Sequence, residues 1–139
     1  MPDTHSSHRA LTMANEDYLE SIYRLATKGD AESGVRSVDV AEQLGVSKAS
    51  VNKALSTLRD AGLVEQNRYG RVNLTPEGRT YAADVWRCHR MIRSFLVTEL
   101  GVDMETADAE ACEMEHAISH DTMVRWMAYM QAQGIVIED

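Results

Sequence analysis

Long hydrophobic runs are missing from this sequence. No stretch approaches the roughly 18 apolar residues that a membrane-spanning helix needs. The first ten residues are polar and rich in histidine and serine, and they lack the apolar core of a signal peptide. We therefore expect a cytoplasmic protein with no membrane partner and a disordered tip over residues 1–11. The chain, 44% hydrophobic over 139 residues, can bury one good core or two small ones.

Cysteine is scarce as well, because Cys88 and Cys112 are the only two in the chain. Two cysteines in a cytoplasmic protein are more often free thiols than a disulfide. We therefore expect no disulfide scaffold. Cys112 can be either a metal ligand or a small hydrophobic side chain.

Positive charge is in deficit, since 14 basic residues against 22 acidic ones give a net charge of −8. That balance argues at first against a nucleic-acid partner. The distribution changes the argument, because residues 47–79 carry six basic and three acidic side chains, whereas residues 81–139 carry four basic and eleven acidic ones. A locally basic module can bind DNA, and the acidic half has carboxylates available for divalent cations.

Capping residues and apolar periodicity predict a helix-turn-helix with a wing over residues 12–76. The predicted helices are Asn15 to Thr27, capped by Asn15, Val38 to Leu44, capped by Ser37, and Lys48 to Asp60, capped by Ser47. Gly45 supplies the turn between the second and third helices. Residues 63–66 and 71–74, joined by a glycine-containing loop, then form a hairpin.

The C-terminal half, residues 77–139, reads as an all-helical dimerisation domain, so the fold class is mainly α. We expect it to dimerise through apolar side chains that a monomer of this size would not leave exposed: Trp86, Phe95, Leu96, Val124 and Met127. Pro76 stands at the first position of a long helix that Gly101 ends. Asp103 can cap a helix from Met104 to Ala117, and Ser119 a last helix from His120 to Gln133.

The predicted DNA-binding surface consists of the solvent face of the third helix, one residue of the second, and the hairpin tip. Small, polar and basic side chains suit a groove floor, and basic residues on a wing reach phosphates. A protein-interaction module of the same shape is the alternative. The predicted contact residues are Ser37, Ser47, Lys48, Ala49, Ser50, Asn52, Lys53, Arg68, Tyr69 and Arg71.

Side chains of metal-binding type fall in three separate segments. Cys112, Glu115 and His116 lie within one helical turn and span an arc of about 100° on one side of it. An acidic pair at i, i+3 lies near the N-terminus, and a single histidine lies in a third, apolar segment. The candidate ligands are Asp17, Glu20, His89, Cys112, Glu115 and His116.

Taken singly, each of these ligands has a simpler explanation. Asp17 and Glu20 near a helix start interact favourably with the helix dipole. His89 can be a core histidine, and Cys112 a small buried side chain. Their joint occurrence with a winged module favours metal sensing coupled to DNA binding.

Four stretches, in this order, carry a resemblance to a known family. They are Glu16-Asp17-Tyr18-Leu19-Glu20 with Ile22-Tyr23, Leu74-Thr75-Pro76-Glu77-Gly78-Arg79, His89 with Phe95-Leu96, and Glu110-Ala111-Cys112 with Glu115-His116 and Ile118-Ser119. Over residues 12–130 the sequence resembles the diphtheria toxin repressor and manganese transport regulator family. The resemblance implies a metal-activated dimeric repressor with a winged helix-turn-helix, a helical dimerisation domain and metal sites between them.

The resemblance also implies which residues hold metal. The N-terminal acidic pair matches that of manganese-type members, whereas Cys112 matches the thiolate of the iron-type branch. His89, Glu115 and His116 match ligands of both branches.

Three departures from the iron-type pattern accompany this match. Because the sequence ends at Asp139, we expect no SH3-like domain of the kind that the larger members carry. Arg93 stands where those members carry an acidic ancillary ligand, and Asp108 where they carry a histidine. An ancillary site of the iron type is therefore not expected.

Carboxylate and imidazole suit Mn²⁺ and Fe²⁺, and one thiolate also admits Co²⁺ and Zn²⁺ in vitro. The expected mechanism is that bound metal holds two recognition helices of a homodimer at the spacing of successive major grooves on a palindromic operator. One alternative is a metal-independent winged regulator that binds an apolar ligand near Trp86, Trp126, Met123, Met127 and Met130. A dinuclear carboxylate enzyme is disfavoured, because no separate acid or base is present.

Overall fold

We describe residues 11–28 and 34–138 of a computed structural model of the chain. Apart from Leu11, the disordered tip predicted over residues 1–11 lies outside these residues. The chain divides into an N-terminal unit, Leu11–Ala83, and a C-terminal unit that starts at Asp84. No helix in the described ranges is long and apolar enough to cross a membrane.

The N-terminal unit is a winged helix-turn-helix, as predicted. Its elements are α1 (Met13–Lys28), α2 (Ser37–Leu44), α3 (Lys48–Asp60), β1 (Val64–Gln66), β2 (Val72–Leu74) and the first turns of α4 (Pro76–Thr98). Gly45 ends α2 with φ 66°, a left-handed conformation that glycine adopts without strain, and this glycine forms the turn. The core of the unit includes Leu19, Ile22, Val40, Val51, Leu55 and Leu58.

The wing is an antiparallel hairpin in which Val64 pairs with Leu74 and Gln66 with Val72. Val35, which precedes α2, adds a bridge to Val72 through two backbone hydrogen bonds of 2.8 Å. Alternate residues of a strand face opposite sides, so Val64 and Val72 are buried while Glu65 stays exposed. The hairpin is therefore attached to the helices through one apolar face.

The division between the units falls inside α4, later than the boundary predicted after Pro76. The first turns of α4 belong to the N-terminal unit because they pack there closely. At Gly78 an added Cβ would lie 1.9 Å from the carbonyl oxygen of Leu63. The hydroxyl of Tyr81 donates a hydrogen bond to the buried carboxylate of Glu16 on α1.

The C-terminal unit contains the rest of α4, α5 (Met104–Met114) and α6 (His120–Ala132). Asp103 and Ser119 cap α5 and α6 as predicted, each accepting a backbone N–H at 3.1 Å. Its buried core consists of Cys88, Met91, Ile92, Leu96, Ala107, Ala111, Met123 and Met130. Beyond α6, Glu138 donates its N–H to Ser94 Oγ at 3.0 Å, which attaches the C-terminal segment to α4.

Several predicted helix bounds differ from the structure. The first helix begins at Met13, and Thr12 Oγ1 accepts the N–H of Asn15, the residue predicted as the cap. Ser37 lies inside α2, and Arg36 occupies the cap position with no side-chain cap hydrogen bond. The helix predicted to reach Ala117 ends at Met114.

Candidate metal centre and nucleic-acid interface

His89 lies in the part of α4 that belongs to the C-terminal unit, and its side chain is 5% exposed. Its ring stacks on Trp86 with 5.1 Å between centroids. Both ring nitrogens face carboxylates, because Nε2 is 2.8 Å from Asp108 Oδ1 and Nδ1 is 2.9 Å from Glu115 Oε2. The imidazole is therefore hydrogen-bonded at Nε2, whereas Nδ1 lies close to Glu115 without a hydrogen bond in the described structure.

Cys112, Glu115 and His116 meet where α5 ends. The side chains of Glu115 and His116 are 0% and 6% exposed, and Glu115 Oε1 lies 3.4 Å from His116 Nε2. One ligand atom from each of the three residues lies within 4.8 Å of the others. Because Glu115 is the C-cap of α5, this cluster spans the end of the helix rather than a regular turn.

These donors fit a divalent metal ion. Two donors bound at right angles to one ion at about 2.1 Å are about 3 Å apart. The measured separation between His89 Nδ1 and Glu115 Oε2 is close to that, at 2.9 Å. A carboxylate as buried as Glu115 needs a cationic or hydrogen-bonding partner, and imidazole, carboxylate and thiolate are ligands for Mn²⁺, Fe²⁺, Co²⁺ and Zn²⁺.

Asp108 is a neighbour of this cluster that sequence reasoning did not include as a site residue. Arg93 Nη1 lies 3.2 Å from the same Oδ1 that faces His89. Burial by itself would raise the pKa of Asp108, but the hydrogen bonds of His89 and Arg93 and their positive charge outweigh it, so the pKa lies below its ordinary value. Sequence spacing could have pointed to Asp108, because it lies one helical turn before the candidate ligand Cys112 on α5.

Asp17 and Glu20, the other two candidate ligands, lie one turn apart on α1 in the N-terminal unit. Glu20 is buried and Asp17 half-buried. Glu16 is buried beside them and accepts the hydrogen bond from Tyr81. Two of these three acidic side chains on one helical turn are therefore buried, which is uncommon without cationic or hydrogen-bonding partners.

The candidate nucleic-acid interface begins at α3. Ser47 caps this helix by accepting the N–H of Ser50 at 3.1 Å. Val51, Ala54, Leu55 and Leu58 are buried, whereas the six predicted contact residues around α3 are exposed: Ser47, Lys48, Ala49, Ser50, Asn52 and Lys53. Ser37, at the start of α2, is half-buried. The helix thus presents a polar and basic face to solvent.

The wing turn presents Arg68 and Tyr69, the latter 77% exposed, with the Arg68 guanidinium 5.3 Å from the tyrosine ring centroid. Arg71 is half-buried, and its Nη1 donates to the carbonyl of Gly34 at 3.4 Å. Asn67, which sequence reasoning missed, shapes the turn because its Oδ1 accepts the N–H groups of Tyr69 and Arg71. Asparagine side chains commonly hydrogen-bond the backbone of a turn, so an asparagine in the predicted hairpin loop could have been recognised from the sequence.

Comparison with known proteins gives a consistent result for both halves. Residues 10–72 match the family description "Iron dependent repressor, N-terminal DNA binding domain". Residues 75–132 match "Iron dependent repressor, metal binding and dimerisation domain". The chain belongs to the iron-dependent repressor family. Its fold and its two matched modules are therefore those of metal-dependent transcriptional repressors.

Individual relatives agree with this family. The chain is 36% identical over 124 residues to the transcriptional regulator MntR of Salmonella typhimurium, covering 88% of this chain and 76% of MntR. It is 34% identical over 111 residues to the iron-dependent repressor IdeR of Mycobacterium bovis, covering 80% of this chain and 47% of IdeR. A solved manganese-dependent transcriptional repressor in complex with manganese matches with a TM-score of 0.69 at 32% identity, over 84% of this chain and 52% of the repressor. The chain thus spans about half the length of the latter two proteins.

Proposed function

We propose that this protein is a metal-activated homodimeric transcriptional repressor of metal homeostasis genes, acting in the cytoplasm on a palindromic operator. The observation that carries the proposal is the cluster of His89, Cys112, Glu115 and His116 in a chain that also has an exposed, basic recognition helix. Its activity is binding rather than catalysis, because the polar groups of the cluster are those expected of ligands.

We assign the metal to His89, Cys112, Glu115 and His116, and the acidic residues Asp17 and Glu20 complete the ligand set. The support for the last two is the sequence resemblance and the burial of Glu20 on α1. When bound, Mn²⁺ or Fe²⁺ supplies positive charge that offsets these carboxylates, and Co²⁺ or Zn²⁺ can replace it in vitro. The bound metal would then be the polar partner of the buried Glu115 carboxylate and of the imidazoles of His89 and His116.

DNA contact divides between two surfaces of the N-terminal unit. The exposed residues of α3, with Ser37, contact base edges and nearby phosphates, and Arg68, Tyr69 and Arg71 of the wing contact the backbone. Two copies of α3 in a homodimer read half-sites about 34–36 Å apart, which requires an inverted repeat. Because metal and DNA bind the same conformational population, each raises the affinity for the other.

The apolar-ligand alternative has no support in the packing. Met123 and Met130 are 2% and 0% exposed within the core of the C-terminal unit. Trp126 packs edge-on against Phe95 at 5.4 Å between ring centroids. The two methionines belong to the buried core of the unit, and Trp126, which is partly buried, packs against that core.

The test is selection of a random-sequence DNA duplex library under anaerobic conditions, with Mn²⁺, with Fe²⁺, or with a chelator. We expect an inverted repeat to be enriched only with metal. The variant His116→Ala should lose this enrichment while keeping its far-UV helical signal. His120→Ala is the matched control, because His120 pairs with Asp84 at 3.1 Å in the same unit. Equal enrichment by the wild-type protein with and without metal would contradict the proposal.

A further inference from the structure

We propose that Asp108, held in place by Arg93, is a positioning residue that keeps a hydrogen on His89 Nε2 and so leaves Nδ1 to bind the metal. The inference rests on the proposed metal site. It concerns two residues that stand outside the ligand set.

The first step is the direction of the imidazole. An ionised carboxylate only accepts hydrogen bonds, so the 2.8 Å contact between Asp108 Oδ1 and His89 Nε2 requires the hydrogen to be on Nε2. Nδ1 lies 2.9 Å from Glu115 Oε2 but makes no hydrogen bond in the described structure, so it is the nitrogen that a metal ion could take together with this carboxylate. A carboxylate partner on the distal nitrogen fixes the ring and makes the ligating nitrogen more basic.

The second step is the role of Arg93. The side chain of Asp108 is 55% exposed, so it needs an anchor to hold one rotamer, whereas that of Arg93 is 14% exposed. Arg93 bonds Asp108 Oδ1 at 3.2 Å, reaches the carbonyl of Glu138 at 3.4 Å, and lies 5.9 Å from the Trp86 ring centroid. Since Trp86 also stacks on His89, the arginine and the imidazole share one rigid support.

The third step is electrostatic. The guanidinium of Arg93 places a fixed positive charge beside the carboxylate that faces Nε2. A metal ion on that edge of the ring would meet this charge at short range, and like charges repel. Asp108 and Arg93 together thus direct the metal to the Nδ1 edge.

The experiment uses ¹⁵N-labelled protein loaded with Zn²⁺, which is diamagnetic, and long-range ¹H–¹⁵N correlation spectra of the histidine rings. In the wild type we expect His89 to show a zinc-shifted Nδ1 and a hydrogen on Nε2 that exchanges slowly with water. In Asp108→Ala that hydrogen should exchange rapidly, and the affinity for Zn²⁺ should fall 10- to 100-fold, the usual effect of losing such a partner. Asp108→Asn, which retains an acceptor oxygen, should lose less, and Arg93→Ala should lie between the wild type and Asp108→Ala.

The matched control is Asp121→Ala, which removes an exposed aspartate paired with Arg125 at 3.0 Å and should leave both readouts unchanged. Zinc bound at Nε2, or an Asp108→Ala variant with wild-type affinity and exchange, would overturn the inference. If the wild type gives the expected spectrum but binds DNA equally with and without metal, the proposed function fails and the positioning role stands. A wild type that binds no Zn²⁺ would overturn the inference, whereas metal-dependent DNA binding with Mn²⁺ or Fe²⁺ would still support the proposed function.

Discussion

At the scale of single residues, Glu115 connects the candidate ligands of the C-terminal unit. Its two carboxylate oxygens face His89 Nδ1 at 2.9 Å and His116 Nε2 at 3.4 Å, and its side chain is fully buried. A carboxylate buried this deeply needs cationic or hydrogen-bonding partners. A divalent ion bound beside it would supply positive charge in place of a proton.

Cys112 distinguishes this cluster from one made of carboxylates and histidines alone. A thiolate is a softer ligand than a carboxylate, so it favours Fe²⁺, Co²⁺ and Zn²⁺ over Mn²⁺. We expect Cys112→Glu to shift activation of DNA binding toward Mn²⁺, and we expect the Co²⁺ complex to lose its thiolate charge-transfer absorbance. Absorption spectra and metal titrations measure both effects.

The control for this substitution is Cys88→Ser, which removes the other thiol, a core residue that is 2% exposed. The Co²⁺ absorbance should survive in that variant if it folds. A Cys112→Ala protein that responds to every metal as the wild type does, together with a wild-type Co²⁺ complex that lacks the absorbance, would show that Cys112 is a packing residue.

Local signals in the sequence were enough to predict several caps, because a cap depends on residues three positions apart. Ser47, Asp103 and Ser119 cap their helices as expected. The contacts of Asp108 could not be predicted from local sequence, because they join α5 to residues 15 and 19 positions earlier on α4. Only the fold brings such residues together.

At the scale of elements, the wing is shaped by hydrogen bonds around its turn. Asn67 Oδ1 holds two backbone N–H groups, and Gln66 Nε2 donates to the carbonyl of Gly70 at 3.1 Å. Gln66 also accepts from Arg59 at the end of α3. The wing tip is thereby tied to the recognition helix, and the exposed Arg68 is carried on an ordered loop.

Arg68→Ala should weaken binding to all DNA sequences alike and reduce the slope of log affinity against log salt by about one, as expected when one phosphate contact is lost. Arg125→Ala, an exposed arginine of the C-terminal unit, is the control. Fluorescence anisotropy at several salt concentrations measures the slope. An Arg68→Ala protein with unchanged affinity and slope would contradict the wing assignment.

The start of α4 depends on a single glycine. Gly78 lies against the backbone of Leu63, where an added Cβ would be 1.9 Å from a carbonyl oxygen. We expect Gly78→Ala to lower the free energy of unfolding by about 1–3 kcal/mol, the range for overpacking a close contact. Urea unfolding followed by circular dichroism measures this change. An unaltered midpoint would mean that α4 can move away from Leu63 at no cost.

At the scale of the whole molecule, charge is distributed unevenly along the chain. The acidic excess lies in residues 81–139, and the basic excess in residues 47–79. Dimerisation was predicted through Trp86, Phe95, Leu96, Val124 and Met127; of these, only Val124 is exposed, at 48%. The other large exposed apolar side chains of the C-terminal unit are Leu100, Met104, Tyr129 and Val136.

Of the nine large exposed apolar side chains among the described residues, five lie in the C-terminal unit and four in the N-terminal unit. A group of such side chains can form an interaction surface. We therefore expect a dimer with and without metal, and we expect Val124→Glu to weaken it, because a buried unpaired carboxylate at a two-fold interface would be repeated in both copies. Val38→Glu is the matched control, since Val38 is a valine of α2 in the N-terminal unit with a similar exposure of 40%. Sedimentation velocity at micromolar protein concentration measures the oligomeric state. A wild-type monomer would contradict the homodimer, and a Val124→Glu protein that stays dimeric would place the interface elsewhere on the C-terminal unit.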